Sequence, residues 1–191
     1  MLNNDIFLIG IQECSYCFLK ELRLRLNNIL YDIIGNDDIN CTDRNIMIYN
    51  RNKIINLLEH TDYAIFSKRP GYGIQNAIFQ YNNENIHLIN THIPGEPNNP
   101  GPNEFVNYLS KYINKDPLIV MCDMNISEVE MEMIIKKNNI NLEVIAPYCT
   151  NIEPYTYKSK AIDQFLVSKS IDILNLDNII DSLAYHVNII N

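Results

Sequence analysis

The sequence has no tryptophan, only six glycines, and five cysteines at irregular spacing along 191 residues. An odd number of cysteines in a chain without a signal is expected as free thiols, not as a disulfide framework. Cys14-Ser15-Tyr16-Cys17 is a lone CxxC, and Cys41, Cys122 and Cys149 supply no second pair to complete a zinc site. No run is long and apolar enough to span a membrane. The opening MLNNDIFLIG carries neither a basic leader nor a small-residue cleavage site. These absences set the expectation of a cytoplasmic protein without stable membrane association. Positive charge is scarce as well. Fifteen Lys and Arg against 23 Asp and Glu give a net charge of −8 and a pI near 4.9. Such a chain does not hold nucleic acid by a broad basic face, so work on phosphates requires a metal ion or a local basic patch. Abundant Asn and Ile read as the codon bias of an AT-rich genome. The sequons at Asn40 and Asn125 follow from the same bias.

The chain suits a single domain over residues 1–191, and a 47% hydrophobic composition is ample for one sizeable core. Residues 6–12, IFLIGIQ, read as a buried strand ending at Glu13. Apolar residues at Phe18, Leu22, Leu26, Ile29, Leu30 and Ile33 then predict a long helix, with Ser15 as N-cap and Gly35 as its stop. Strands are expected over 44–50, 62–66, 74–81 and 86–92. PGEPNNPGPN, 94–103, reads as a loop rich in helix breakers, followed by an amphipathic helix carrying Phe105, Val106, Leu109, Tyr112 and Ile113. Pro117–Met121 is a further strand. Ser127 with Glu130 forms a capping box for a helix to about Asn138. Short strands are expected at LEVIA, YTY, IDQFLVS and HVNII. His60 and His87 read as surface or turn residues. Lys68 and Arg69 form the one basic spot beside the strand ends discussed next, suited to a phosphate or equally to a solvated loop end. The mixture of short turns and helices points to an α/β layered protein with packed sheets.

One pattern recurs. Apolar strands run straight into polar groups: IFLIGIQ into Glu13, IHLINT into His92, and PLIVM into Asp123 and Asn125, while Asp163 opens the strand of AIDQFLVS. An ionised carboxylate at a core strand's end is costly unless something compensates it. If the last strand is antiparallel to the others, all five residues meet on one rim. Clustered acids persist when protons or a divalent cation relieve them, and oxygen donors favour a hard ion, Mg²⁺ or Mn²⁺.

The order of these segments resembles the endonuclease/exonuclease/phosphatase superfamily, the DNase I-like fold. GIQE, AIFSKRP, INTH, VMCDMN, AIDQFLVS and a late His follow one another as the family's motifs do, from about residue 6 to the C-terminus. The resemblance implies a four-layer αββα sandwich of two packed mixed β-sheets with outer helices. It implies a Mg²⁺- or Mn²⁺-dependent phosphodiesterase, a nuclease with nucleic acid as substrate. Glu13 then corresponds to the metal-binding glutamate and His92 to the residue contacting the scissile phosphate. Asp123 and Asn125 correspond to the pair that orients water and phosphate near the metal, with Asp123 also a metal ligand. Asp163 corresponds to the acid that orients the catalytic histidine, His186.

Three departures accompany the likeness. Tyr185-His186 stands where the family has Asp-His, with Asp181 nearby; Cys122 replaces a glycine; and the chain starts almost at the QE motif, without the family's first strand and its Asn. Two alternatives therefore stay open beside the nuclease: a catalytically inactive family member acting as a binding protein, and a phosphatase of small-molecule or lipid phosphates. Oligomeric state is left open too.

Overall fold

A computed structural model describes residues 7–26, 28–35, 44–53, 56–63, 73–81, 83–94, 101–113, 117–145, 163–168, 181–183 and 187–190. In chain order the elements are β1 (Leu8–Cys14), α1 (Tyr16–Arg25), β2 (Tyr31–Gly35), β3 (Arg44–Asn50), β4 (Asn56–Tyr63), β5 (Ile74–Tyr81) and β6 (Glu84–His92). They continue with α2 (Gly101–Leu109), β7 (Leu118–Asp123), α3 (Glu128–Lys137), β8 (Leu142–Ile145), β9 (Asp163–Ser168), β10 (Asp181–Leu183) and β11 (Val187–Ile190). The strands form a five-stranded sheet, β10-β11-β1-β3-β2, and a six-stranded sheet, β4-β5-β6-β7-β9-β8. All pairings of the first are antiparallel. The second combines antiparallel pairs with a parallel β6–β7 pair, and α2 lies in the connection between those two strands.

The strands are apolar on both faces because each sheet is covered twice, and the two-residue period of a strand sorts the side chains into layers. Leu8, Met47, Leu88, Ile119, Met121, Phe165 and Val167 meet between the sheets. Ile9, Ile11, Ile46 and Ile48, one residue out of phase, pack outward on Leu19 and Leu22 of α1. Ile89, Val120 and Leu166 pack outward on Phe105 and Leu109 of α2 and on Met131 and Ile135 of α3. Three apolar layers between four layers of structure give the αββα sandwich, each fully buried side chain contributing about 1.5–3 kcal/mol. Among the described residues no helix is long and apolar enough to cross a membrane.

Polar groups also cross between the sheets. Gly10 makes room for one of them: a Cβ there would approach Met121 Sδ to 2.9 Å and Asn90 Oδ1 to 3.0 Å. Asn90, fully buried on β6, donates to the carbonyls of Ile11 (3.1 Å) and Ile46 (2.8 Å) on the opposite sheet and accepts from Gln12 Nε2 at 2.6 Å. Gln75 Nε2 donates across to the Ile34 carbonyl at 3.1 Å.

Several expectations are corrected. The predicted helix from Ser15 to Gly35 stops at Arg25; Ser15 does cap it, accepting from the Phe18 amide, but Tyr31–Gly35 is a strand paired with β3. Ile33 and Ile34 alternate between the outer and inner cores, a strand's period, while Ile29 is 78% exposed. The expected strand at 62–66 begins at Asn56, with 64–66 outside the described residues. As an edge strand, β4 leaves Leu58, Glu59 and His60 exposed and so lacks apolar alternation. The expected loop 94–103 already turns helical at Gly101, since Pro102 lies in the first turn where no amide hydrogen bond is lost. His87 is buried, not superficial: it contacts the Asn76 side-chain oxygen and meets Tyr112 edge-on at 4.4 Å. The capping box at Ser127 and Glu130 and the end of α3 at Asn138 are as predicted. The expected strand at 155–157 lies outside the described residues.

Removing the Asn90 amide takes a donor from two buried carbonyls and an acceptor from the Gln12 side chain. Asn90→Ala is expected to lower unfolding stability by about 3 kcal/mol, at the upper end for buried unsatisfied groups. A denaturant titration measures it, and a loss under 1 kcal/mol would contradict the staple.

Candidate active site

Register brings three of the predicted residues into one row. His92 pairs with Asp123 across the parallel β6–β7 ladder, and Asp123 pairs with Asp163 across β7–β9. Each lies an even number of positions from an inter-sheet residue of its own strand, Leu88, Met121 and Phe165, so all three share the inner face. His92, Asp123 and Asp163 are almost wholly buried.

Glu13 comes from the other sheet. The β1–β3 register shifts between Ile11 and Cys14, and Glu13 sits in that bulge with φ 55°. Ile11 and Cys14 both face the α1 layer although three residues apart, so the extra residue resets the phase of the strand. The Glu13 side chain remains 46% exposed, with Oε1 3.9 Å from His92 Nδ1. On the other side of the ring, His92 Nε2 lies 3.7 Å from Asp123 Oδ2.

Asn125 closes the row. Just past the end of β7 it takes φ 53°, a conformation Asn tolerates better than most residues. Its amide N–H donates to Asp123 Oδ1 at 3.0 Å, and its side-chain Nδ2 donates to the Ile93 carbonyl at 2.8 Å. The same Nδ2 lies 3.2 Å from His92 Nε2. The ring accepts from that amide in the tautomer that carries its proton on Nδ1, the nitrogen nearer Glu13. Gln164 Nε2 fixes the loop by donating to the Ile126 carbonyl at 2.9 Å.

Glu13, His92, Asp123, Asn125 and Asp163 thus gather at one end of the inter-sheet layer, with Glu13 and Asn125 at its mouth. His186 and Tyr185 lie outside the described residues, as do Lys68 and Arg69. Val187, directly after His186, pairs with Ile11, and β11 rests against β9. Sequence reasoning missed Gln12, Asn90 and Gln164, whose buried amides hold the strands behind the site. Their signal was a polar residue at a core phase of an apolar strand. Among the described residues no group of three or more His, Cys, Asp or Glu side chains is gathered closely enough to hold a metal ion by itself. Two neighbouring buried carboxylates, a half-exposed glutamate and an amide are oxygen donors, and Mg²⁺ typically takes only one or two carboxylates, completing its shell with water and substrate phosphate. The donor set fits such an ion.

No protein-family model matches the sequence, nor does any curated protein sequence. Solved structures do match. An endonuclease/exonuclease/phosphatase family protein from Bacteroides thetaiotaomicron superposes with a TM-score of 0.66 at 19% identity, over 87% of this chain and 70% of that one. The chain has the endonuclease/exonuclease/phosphatase fold. The same fold is matched in D. rerio TDP2 complexed with a single-strand DNA product, at TM-score 0.62, 13% identity and coverage of 86% and 72%. It is matched also in a mannosyl-6-phosphatase from B. thetaiotaomicron, at TM-score 0.62, 18% identity and coverage of 85% and 71%.

Cys122 lies under the row, its thiol donating to the Gln164 carbonyl at 3.1 Å. Burial pushes its pKa well above the ordinary value, and the charges of Asp123 and Asp163 push the same way. Burial likewise raises Cys14 to about 11, against the opposing pull of the Arg44 guanidinium. Both pKa values are higher folded than unfolded, so the unfolded chain loses these protons first and stability falls as pH rises past about 9. At pH 8, iodoacetamide is expected to alkylate exposed Cys17 in the native protein and to reach Cys14 and Cys122 only after denaturation. Peptide mass spectrometry checks this, and native labelling of Cys122 at the Cys17 rate would contradict the packing.

Proposed function

We propose that the protein is a metal-dependent phosphoesterase that hydrolyses nucleic-acid phosphodiester bonds. The observation that carries this reading is the single row of His92, Asp123 and Asp163, with Glu13 facing it from the opposite sheet and Asn125 at its edge. Glu13 and Asp123 would hold Mg²⁺ or Mn²⁺. When bound, the ion offsets negative charge at the phosphate and the leaving oxygen. The chain's own residues do the rest. His92, ordered by Asn125, steadies a phosphate oxygen. Asn125 positions that phosphate and helps Asp123 orient the attacking water. His186 takes the water's proton, with Asp163 fixing its ring, the logic of an acid that holds an imidazole in one tautomer. The start of β11 beside β1, one residue after His186, supports this assignment.

A second reading has its own observation. A net charge of −8 repels long polyanions, and the fold is shared with a mannosyl-6-phosphatase, so a sugar phosphomonoester is the competing substrate. One assay separates the two readings: single-stranded DNA, RNA and mannose 6-phosphate, each with Mg²⁺, Mn²⁺ or EDTA. Polynucleotide cleavage is expected, abolished by EDTA, and lowered about 10²- to 10⁴-fold by His186→Ala, the range for losing a general base. Glu13→Ala is expected to raise the metal concentration needed for half-maximal rate. Release of phosphate from the sugar without strand cleavage would select the monoester reading. No turnover on any substrate from folded protein would mean that Tyr185, in place of the family's aspartate, has ended catalysis.

A further inference from the structure

Asn90 fixes the two sheets at the level of Ile11 and Ile46, yet the site lies further out. Glu13 is two residues beyond Ile11, and His92 is two beyond Asn90. Another side-chain amide supports that outer level. Ile11 pairs with Ile46 and Cys14 with Arg44, so Gln12 and Glu13 together oppose the single residue Asn45 across the bulge. Asn45 stands two residues ahead of Met47 and four ahead of Tyr49, which both pack between the sheets, so it shares their inner face.

Asn45 reaches across to the other sheet. Its Nδ2 donates at 2.7 Å to the carbonyl of Gly73, the residue just ahead of β5. The same carbonyl accepts from Thr91 Oγ1 at 2.9 Å and from the His92 backbone N–H at 3.4 Å. One oxygen therefore joins the residue opposite Glu13 to the end of the strand that carries His92. Glu13 itself has φ 55° and a half-exposed side chain, with Oε1 3.9 Å from His92 Nδ1. A bulge in that conformation is held only as firmly as the strand paired with it. The other half of the Asn45 carboxamide is unsatisfied: Oδ1 is buried and has no hydrogen-bond partner among the described residues. A buried oxygen of that kind lowers stability, so stability alone does not account for an asparagine here.

We infer that Asn45 is a positioning residue for Glu13: its bond to the Gly73 carbonyl sets the spacing between the Glu13 bulge and His92, and with it the affinity of the site for a divalent cation. The inference rests on the metal-dependent reading and adds to it the residue that holds the glutamate in place. Gln75 offers an internal comparison. It too is an inter-sheet amide, donating to the Ile34 carbonyl at 3.1 Å. Ile34 lies on β2, however, which β3 separates from β1 and its bulge. If such ties served only to hold the sheets together, losing Asn45 or Gln75 would affect the cation site alike.

Mn²⁺ binding to the full chain, without substrate, is followed by electron paramagnetic resonance of the free ion, and circular dichroism checks that each variant is folded. Asn45→Leu keeps the size of the side chain and removes the donor. It is expected to weaken Mn²⁺ binding about tenfold, the lower end for losing a group that orients a metal ligand. Asn45→Ser, too short to reach the Gly73 carbonyl, carries the same expectation and takes its place if the leucine variant does not fold. Gln75→Leu should bind within twofold of wild type. A double-mutant cycle then asks through which residue Asn45 acts. Added to Glu13→Ala, Asn45→Leu should weaken binding less than twofold further, because its effect passes through the glutamate. Wild-type affinity in folded Asn45→Leu, full additivity with Glu13→Ala, or an equal loss in Gln75→Leu overturns the inference and leaves the metal-dependent reading standing. Failure of the wild type to bind Mn²⁺ at millimolar ion removes that reading, and the inference with it.

Discussion

The amide of Asn90 is the interaction on which the rest of the structure depends. It reaches from β6 across the inter-sheet layer to two carbonyls and one side chain of the other sheet. Apolar packing brings sheets together without fixing how they are offset, because it is nearly indifferent to sliding. Directed hydrogen bonds to Ile11 and Ile46 are not indifferent. They set β6 against β1 and β3 at one position, and that position carries Glu13 to the side of His92. Within INTH the strand's period then divides the labour: Asn90 turns inward to the other sheet, Thr91 turns outward and donates to the Gly73 carbonyl at 2.9 Å, and His92 turns inward again at the row of acids. A one-residue slip would exchange these faces and bury the imidazole among the helices.

Strain marks the same place. Among the described residues four that are not glycine take a positive φ: Glu13, Asn83, Asn125 and Asn139. Three are asparagines, whose short amide suits that conformation. Glu13 has no such excuse, and holding it there costs of order 1–3 kcal/mol. The bulge that imposes it lets the outward phase of β1 continue to Cys14, so that α1 stays packed while the glutamate is turned toward the opposite sheet. The strained residue and the ordered amide of Asn125 stand on either side of His92, one from each sheet.

Much of this was legible in the sequence, for identifiable reasons. Central strands such as PLIVM and IHLINTH show themselves because a sheet covered on both faces demands continuous apolar residues. Ser127 with Glu130 announces α3 through purely local hydrogen bonds. The convergence of strand ends on a rim followed from chemistry that apolar strands do not otherwise tolerate. What failed was non-local. Tyr31–Gly35 fits a helical period as well as a strand's, and pairing with β3 decides between them. β4 and β10 border their sheets and carry little apolar pattern. His87 looked superficial until Tyr112 and Asn76 enclosed it. Gln12 and Asn90 lay inside the quoted motifs, but their value as staples appears only when the two sheets are superposed.

The pairing of β1 with β11 carries a consequence for how the molecule comes into being. Leu8 lies opposite Ile190, so the second edge of β1 stays open until β11 has been made. A strand flanked by such distant partners closes late, because the loop between them must be ordered before the contact returns any free energy. Until then the first sheet presents an unpaired edge, open to other chains. Half-made chains are thereby exposed to aggregation.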